Sequence, residues 1–176
     1  MSQTDPEVKH PADLVARLAA IIHGEGFPNG ERARLKRMGI SGPTPLSYHR
    51  FLLRHVPERW QAEDQAQQWR VLLTALAQQH QNPHNPSVPF GSALAGCDYS
   101  ELRLESLLAA EGRVLATLTL RATTRLAARR VRCNWKDIAW LLFARDNEIR
   151  ERANQRIARA FYRTPYTTHD QAVETA

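Results

Sequence analysis

Apolar residues recur at helical spacing through most of this chain of 176 residues, in stretches that glycine and proline separate. No stretch alternates apolar and polar residues over the length of a strand with turn residues at both ends. The segment VLATLTL, residues 114–120, comes nearest to a strand, and its helical neighbours favour a helix there too. The sequence therefore predicts an all-α protein, with helices over residues 11–23, 31–38, 46–56, 60–81, 90–96, 100–111, 113–131, 135–144 and 146–163.

The stretch QNPHNPSVP, residues 81–89, has three prolines in nine residues and cannot be helical throughout. It predicts a Pro-rich linker between an N-terminal helical bundle over residues 11–80 and a C-terminal helical bundle over residues 90–163. Residues 1–10 are polar and aperiodic and are predicted to form a disordered arm, and residues 164–176 a loose tail. Asn134 is predicted to cap the helix that follows it, and Asp98 and Glu101 have the spacing of a capping box.

The chain is strongly basic, with a formal net charge of +6 and a sequence pI near 9.9. Of its 24 basic residues, 21 are arginines. The planar guanidinium group matches phosphate and stacks on bases, which favours a nucleic-acid partner. A GC-rich genome would also raise the arginine content. The positions of the arginines in the sequence are therefore needed to distinguish a nucleic-acid partner from a bias in base composition.

Arginines follow helical spacing on two of the predicted helices. On the helix over residues 113–131 they recur at i, i+4, i+8 and i+11, which places them on one side. These residues are Arg121, Arg125, Arg129 and Arg132. The last helix repeats the pattern with Arg152, Arg156, Arg159 and Arg163. All of these except Arg163 are candidate nucleic-acid-binding residues, although arginines beside a core can also cover apolar surface and pair with acids in the fold.

Charge is segregated along the chain. Residues 103–163 contain fourteen basic and six acidic residues, and residues 30–60 contain seven basic and two acidic ones. Residues 61–102, between them, contain one basic and four acidic residues. This pattern predicts one basic surface and a milder acidic one that is suited to protein neighbours.

Several other kinds of chemistry find little support. Cys97 and Cys133 are too few for a metal knuckle or a disulfide framework, which favours a reducing cytoplasm. We expect a soluble, cytoplasmic protein, because no signal peptide and no membrane-spanning run is recognisable. His80 and His84 are four residues apart, but the prolines around them deny a regular helix. With no acidic magnesium cluster and no P-loop, the sequence predicts neither a metal site nor a cofactor.

One enzymatic alternative remains open. Arg50 and His55 in RFLLRH match the spaced Arg and His pair of the HEPN ribonucleases, which are also all-α. In that family the pair activates an RNA 2′-hydroxyl and stabilises the charge of the phosphorane. The residue after Arg50 is the apolar Phe51, where that family favours a polar one. The other reading of His55 is a cation that the C-terminal end of a helix favours.

Several motifs in order resemble a known family. They are GERARLKRM, FGSALAG followed by SELRLESLLAAEG, the LR at residues 120–121, the NW at residues 134–135 and the closing ARAFYR. Together they resemble the CasB family, the small subunit of the type I-E CRISPR complex called Cascade. The resemblance covers roughly residues 11–163. It implies an all-helical fold with two bundles and no enzymatic activity.

The resemblance also implies partners. A CasB subunit would lie as one of a head-to-tail pair of identical copies beside the CasC backbone and the CasA large subunit. Its basic surface would hold the CRISPR RNA, the target strand and especially the displaced, non-target DNA strand of an R-loop. Because the two duplexes that an R-loop exchanges are of similar stability, contacts to the nucleic-acid backbone can tip the balance.

Four of the family's basic contacts match residues of this chain: Lys36, Arg37, Arg103 and Arg121. Where the family often has an arginine inside the short helical turn, this chain has Ser92, and another family arginine is replaced by Ala109. Arg125 and Arg129 are candidates to compensate for these two losses.

Besides the Cascade subunit and the ribonuclease, a third hypothesis is a helical adaptor whose arginines meet acidic protein surfaces.

Overall fold

The computed structural model describes residues 8–165, and within that range it contains nine α-helices, three short 3-10 turns and no strand. The all-α prediction is confirmed. The 3-10 turns are Pro11–Leu14, Glu58–Trp60 and Glu63–Gln65. The helices are α1 (Val15–His23), α2 (Asn29–Met38), α3 (Leu46–His55), α4 (Ala66–Ala77), α5 (Phe90–Ala95), α6 (Glu101–Ala109), α7 (Gly112–Ala128), α8 (Trp135–Leu142) and α9 (Asn147–Arg163).

Two predicted helices are shorter than their apolar pattern suggested. The chain makes two 3-10 turns before α4 begins at Ala66, so the prediction of a continuous helix from residue 60 is wrong. Helix α7 ends at Ala128 because the chain reverses at Arg130, whose φ is 54°. There the amide of Val131 donates to the carbonyl of Leu126, and that of Arg130 to Ala127, which is a common way for a helix to end.

Most of the buried hydrophobic residues form a cluster that includes residues of helices before and after residues 81–89. Trp69 and Trp135 are fully buried in it, and Trp60 is nearly so. Helix α8 packs against α1 and the Pro11–Leu14 turn, and α4 packs against α2 and α7. The division of the chain into two bundles stays a prediction. No helix in the described part of the chain is long and apolar enough to cross a membrane.

Residues 81–89 are attached to the chain just before α8. The amide of Cys133 donates to the carbonyl of Pro83 at 3.0 Å, and the amide of Asn85 donates back to Cys133 at 2.8 Å. A parallel bridge therefore joins His84 and Cys133. The ring nitrogen Nδ1 of His84 accepts from the amide of Trp135 at 3.3 Å, so His84 has a structural role at the start of α8.

The short helix α5 lies directly on α9. A Cβ atom at Gly91 would be 2.0 Å from the carbonyl oxygen of Ile157, so only glycine permits this approach. Phe90 is fully buried beside it, and the hydroxyl of Ser92 donates to the carbonyl of Ala160 at 3.1 Å. The FGSALAG motif thus fixes how α9 sits on the rest of the fold.

Residues 8–10, at the end of the predicted arm, contact the fold. Arg59 and Trp60 both donate to the carbonyl of Val8, and the His10 ring stacks on Trp140 with 3.5 Å between ring centroids. Burial lowers the pKa of His10 to about 4, the nearby Asp13 acting in the opposite direction. The rest of the predicted arm, residues 1–7, and residues 166–176 of the predicted tail lie outside the described residues.

Candidate nucleic-acid interface

Three of the candidate arginines lie within electrostatic range of one side chain, Tyr99. Arg103 lies on α6, and Arg121 and Arg125 lie on α7. The charges of all three act on the Tyr99 hydroxyl, where they oppose the rise in its pKa that burial causes. We call Arg103, Arg121 and Arg125 the Tyr99 cluster. The structure thus brings together two arginines that the family resemblance selected and one that the helical spacing selected.

Within the Tyr99 cluster, Arg103 and Arg121 are exposed. Neither guanidinium group has a hydrogen bond or an ion pair with another residue in the range 8–165. An exposed guanidinium with no carboxylate partner keeps its full charge and all its donors for a ligand. These two side chains are therefore the most available cations of the cluster.

Arg125, the third member of the Tyr99 cluster, also has a structural role. Its Nε donates to the carbonyl of Cys97 at 2.5 Å, and its terminal nitrogen donates to the carbonyl of Asp98 at 2.9 Å. These contacts tie the end of α5 to α7. Because carbonyl groups are neutral, Arg125 keeps its positive charge and adds to the field of the Tyr99 cluster.

Arg129 is different, because a carboxylate neutralises it. Its guanidinium forms an ion pair with Asp98 at 2.9 Å, and the two side chains are 54% and 62% exposed. An exposed pair of this kind contributes at most about 1 kcal/mol to stability.

Asp98 does not cap α6 as its spacing suggested; the hydroxyl of Ser100 does, by accepting from the amide of Arg103.

Arg132 does not lie on the helical stripe that its spacing predicted. Helix α7 ends at Ala128 and the chain turns at Arg130, so the i+11 position falls outside the helix. Arg132 instead donates to the carbonyl of His84 at 2.9 Å. The predicted row of four is thus wrong for Arg132, while Arg121 and Arg125 lie one turn apart on α7.

The arginines of α9 line a groove of about 610 Å³, whose opposite wall includes Pro89, Ser92 and Asn134. We call it the α9 groove; its four arginines are Arg152, Arg156, Arg159 and Arg163. Arg152 forms an ion pair with Glu148 one turn earlier. Arg159 and Arg163 are exposed and have no hydrogen bond or ion pair within the described range.

Arg156 forms an ion pair inside the fold and therefore has a structural role. Its Nε lies 2.9 Å from the Oδ1 atom of Asp137, a carboxylate whose side chain is only 6% exposed. The other oxygen of Asp137 accepts from the amide of Phe90 at 3.0 Å. Arg156 thus compensates a buried charge between α8, α5 and α9, which the sequence spacing alone did not indicate.

The two remaining candidates, Lys36 and Arg37, lie in the last turn of α2. Both are exposed and have no hydrogen bond or ion pair with the described residues, while Leu35 and Met38 bury the opposite side of the helix. Arg70, which the sequence analysis did not single out, fixes the chain beyond this turn. It donates to the carbonyls of Met38, Gly39 and Gly42 and to the hydroxyl of Thr44.

The residues of the ribonuclease alternative, Arg50 and His55, lie in one cleft together with Glu31. Arg50 forms an ion pair with Glu31 at 2.7 Å. Burial lowers the pKa of His55, and the charges of Arg17 and Arg54 lower it further. The carboxylate of Glu31 therefore neutralises the charge of Arg50 that would have to stabilise a phosphorane.

No group of three or more His, Cys, Asp or Glu side chains that could hold a metal ion occurs within residues 8–165. His84 is engaged at the start of α8, and burial, followed by the charges of Lys136 and Arg132, lowers its pKa. Cys97 and Cys133 are free and buried, and burial raises the pKa of both thiols.

Comparison with known proteins identifies the family to which the chain belongs. The model of the family described as CRISPR-associated protein Cse2 matches residues 31–162, three quarters of the chain. The match includes most of α2, the Tyr99 cluster and nearly all of α9. Searches of curated proteins and of solved structures gave no match. The chain therefore belongs to the CRISPR-associated protein Cse2 family, also called CasB, the small subunit of the type I-E Cascade complex.

Proposed function

We propose that this Cascade small subunit binds the sugar-phosphate backbone of nucleic acid and thereby stabilises the R-loop of type I-E interference. The strands it would hold are the CRISPR RNA, the target strand and the displaced DNA strand. Family membership supplies the place in type I-E CRISPR interference. The binding role rests on the positions and charges of the basic side chains.

The observation that carries the proposal is the pairing of Arg103 and Arg121 in the Tyr99 cluster. They come from two different helices, share one locality and have no partner among the described residues. Arginine forks bind phosphate in a bidentate manner and release condensed counterions when they do so. Two free guanidinium groups at one place, with the un-neutralised Arg125 beside them, suit a polyanion better than a single small anion.

Among the candidate residues and Arg163, which lies beside them in the α9 groove, the available cations fall into three groups. They are Lys36 and Arg37 on α2, the Tyr99 cluster, and Arg159 with Arg163 in the α9 groove. Arg129, Arg152 and Arg156 stay in the proposed interface as residues whose carboxylate partners a phosphate would have to replace. Arg132, which is bound to a carbonyl, adds charge near the start of α8. Binding through such groups is independent of sequence, as a displaced strand requires.

The remaining partners are proposed from the family and the charge pattern. A second copy of this chain, the CasC backbone and the CasA large subunit would meet surfaces away from the arginines. Residues 61–102 have one basic and four acidic residues, and the part before Cys97, which Arg125 contacts, is the surface that we propose for these partners. A helical adaptor that meets acidic protein surfaces remains the competing explanation for the arginines, and it predicts no affinity for a free strand.

Subunits of this family are generally structural and non-catalytic. We propose that this chain follows the family, because the ion pair with Glu31 neutralises the charge of Arg50 that a HEPN-like ribonuclease would need. The His55→Ala variant separates the two functions. It should leave interference intact if the subunit is non-catalytic, whereas abolition of an RNA-cleaving activity by this change would establish the ribonuclease.

The proposed function is tested by measuring the affinity for single-stranded DNA over a range of salt concentrations. Replacing Arg103 and Arg121 together by alanine should weaken binding similarly for all sequences and lower the salt slope by about one to two units. Arg113→Ala with Arg130→Ala is the matched control, because it also removes two exposed charges but lies outside the Tyr99 cluster. An unchanged slope in the first variant would remove this cluster from the interface.

A further inference from the structure

A cleft lies between the end of α1 and helix α3, apart from the candidate nucleic-acid-binding residues. Its volume is about 480 Å³, within the range of small-ligand sites. Its floor is apolar, and its rim is charged. The floor is formed by Ile21, Phe27 and Phe51, and the rim by Glu31, Arg50, Arg54 and His55.

The aromatic rings of the floor form a fixed arrangement. Phe27 and Phe51 meet edge to face, with ring centroids 5.8 Å apart and an angle of 89° between the planes. The ring of His55 lies 4.8 Å from that of Phe51. Phe51 is buried, whereas Phe27 is only half-buried and presents part of its ring to the cleft. A flat ring is the kind of group that packs well against such a surface.

The rim supplies both polarity and charge. Arg54 is exposed and has no hydrogen bond or ion pair within the described range. Arg50 and Glu31 remain 50% and 19% exposed in their ion pair, so both can still meet the polar edge of a ligand. Glu31, the only carboxylate among the described residues that line the cleft, is already paired, which leaves the rim net positive and suited to a ligand that carries an anionic group.

The location connects the cleft with the proposed interface. Glu31 lies on α2, the same helix that ends with Lys36 and Arg37. Arg34, one turn from Glu31 on a similar side of α2, is exposed and unpartnered among residues 8–165. A strand whose phosphates follow the cations of α2 would therefore pass the open side of the cleft.

We propose that this cleft receives one unstacked nucleobase of a single-stranded nucleic acid, with Phe27 against the base and Arg54 on a neighbouring phosphate. The inference rests on the proposed function, because the base arrives on a strand that the cations already hold. Arg50, which Glu31 holds in place, is then a polar contact to the base edge. A peptide with an aromatic and an acidic side chain is the competing occupant.

The test compares two polymers with the same backbone, an oligothymidine of about 15 nucleotides and an abasic oligonucleotide of equal length. The full chain should bind oligothymidine more tightly. Phe27→Leu keeps the apolar bulk but removes the aromatic ring, and it should weaken oligothymidine binding about fivefold or more while leaving abasic binding unchanged. Leu46→Ala is the control, since Leu46 is exposed on the same helix as Phe51 but lies outside the cleft.

A second readout locates the base. Photocrosslinking of an oligonucleotide that carries 5-iodouracil, followed by trypsin digestion, should label the peptides over residues 18–32, 51–54 or 55–59. Crosslinks found only elsewhere, or equal binding of both polymers with no effect of Phe27→Leu, would overturn the cleft inference and leave the proposed function standing. If the full chain binds neither polymer, the proposed function fails and the inference fails with it. Loss of Cascade assembly in Phe27→Leu, without crosslinks, would identify a peptide as the occupant.

Discussion

Arg156 and Asp137 form an ion pair between α9 and α8 in which the arginine is 48% exposed and the carboxylate only 6%. The same carboxylate accepts from the amide of Phe90 at 3.0 Å, so three helices meet at one buried charge. A candidate nucleic-acid-binding residue is thereby also part of the fold. Its replacement affects stability and binding together, and the two effects have to be separated.

Removing the guanidinium should expose this dual role. Arg156→Ala leaves the buried Asp137 carboxylate with one donor, and the free energy of unfolding should fall by about 1–3 kcal/mol. Urea unfolding measures this, with Arg159→Ala on the same helix as the control that stays within about 0.5 kcal/mol. In a background of Asp137→Asn the cost of Arg156→Ala should nearly vanish. An equal cost in both backgrounds would show that Arg156 does not act through Asp137.

The exposed pair of Arg129 and Asp98 should restrain binding. Asp98→Asn frees the Arg129 guanidinium, and asparagine tolerates the φ of 54° at this position. Stability should change by less than about 1 kcal/mol, while affinity for single-stranded DNA at low salt should rise about two- to fivefold. The control Glu63→Gln removes an exposed carboxylate that lies on none of the helices that carry the candidate arginines, and it should have little effect. A gain that persists after Arg129→Ala would show that Arg129 is not the residue set free.

Acid should loosen the contact between residues 8–10 and the fold. The pKa of His10 is about 4 in the folded chain, against 6.5 for an ordinary histidine. A lowered folded pKa means that the unfolded chain binds the proton more readily, so stability is full above about pH 6.5 and declines as the pH falls toward 4. His10→Asn keeps an acceptor for the amide of Ala12 but does not titrate in this range.

The comparison of urea unfolding at several pH values tests this. Between pH 7 and 4 the wild-type chain should lose more stability than His10→Asn. Several other histidines titrate in both proteins, so only the difference between the two curves reports on His10. Parallel curves would mean that His10 is not responsible.

The helices and their ends were predictable where local chemistry determines them. Asn134 caps α8 as predicted, with its side chain accepting from the amide of Lys136. The end of α7 at Ala128 was not predictable, since no glycine or proline marks it and an arginine, Arg130, adopts the positive φ in the turn that follows. The sequence pattern therefore placed Arg132 on the helix, whereas in the structure Arg132 lies beyond the end of α7.

The availability of the arginines could not be predicted at all. Asp98 pairs with Arg129 across 31 residues, and Asp137 pairs with Arg156 between two different helices. Such pairings depend on tertiary packing, which a count of nearby acids along the chain does not capture. Helical spacing treated Arg121 and Arg129 alike, but only Arg129 is paired with a carboxylate in the described part of the chain.

The most direct test of the account uses the assembled complex. Cascade is reconstituted with the wild-type chain, with the double variant Arg103→Ala and Arg121→Ala, or with the control Arg113→Ala and Arg130→Ala. R-loop formation on a supercoiled target plasmid is then measured at increasing salt. We expect all three complexes to assemble, and the Arg103 and Arg121 variant to lose R-loops at lower salt than the other two. Wild-type R-loop stability in that variant at every salt concentration would contradict the account.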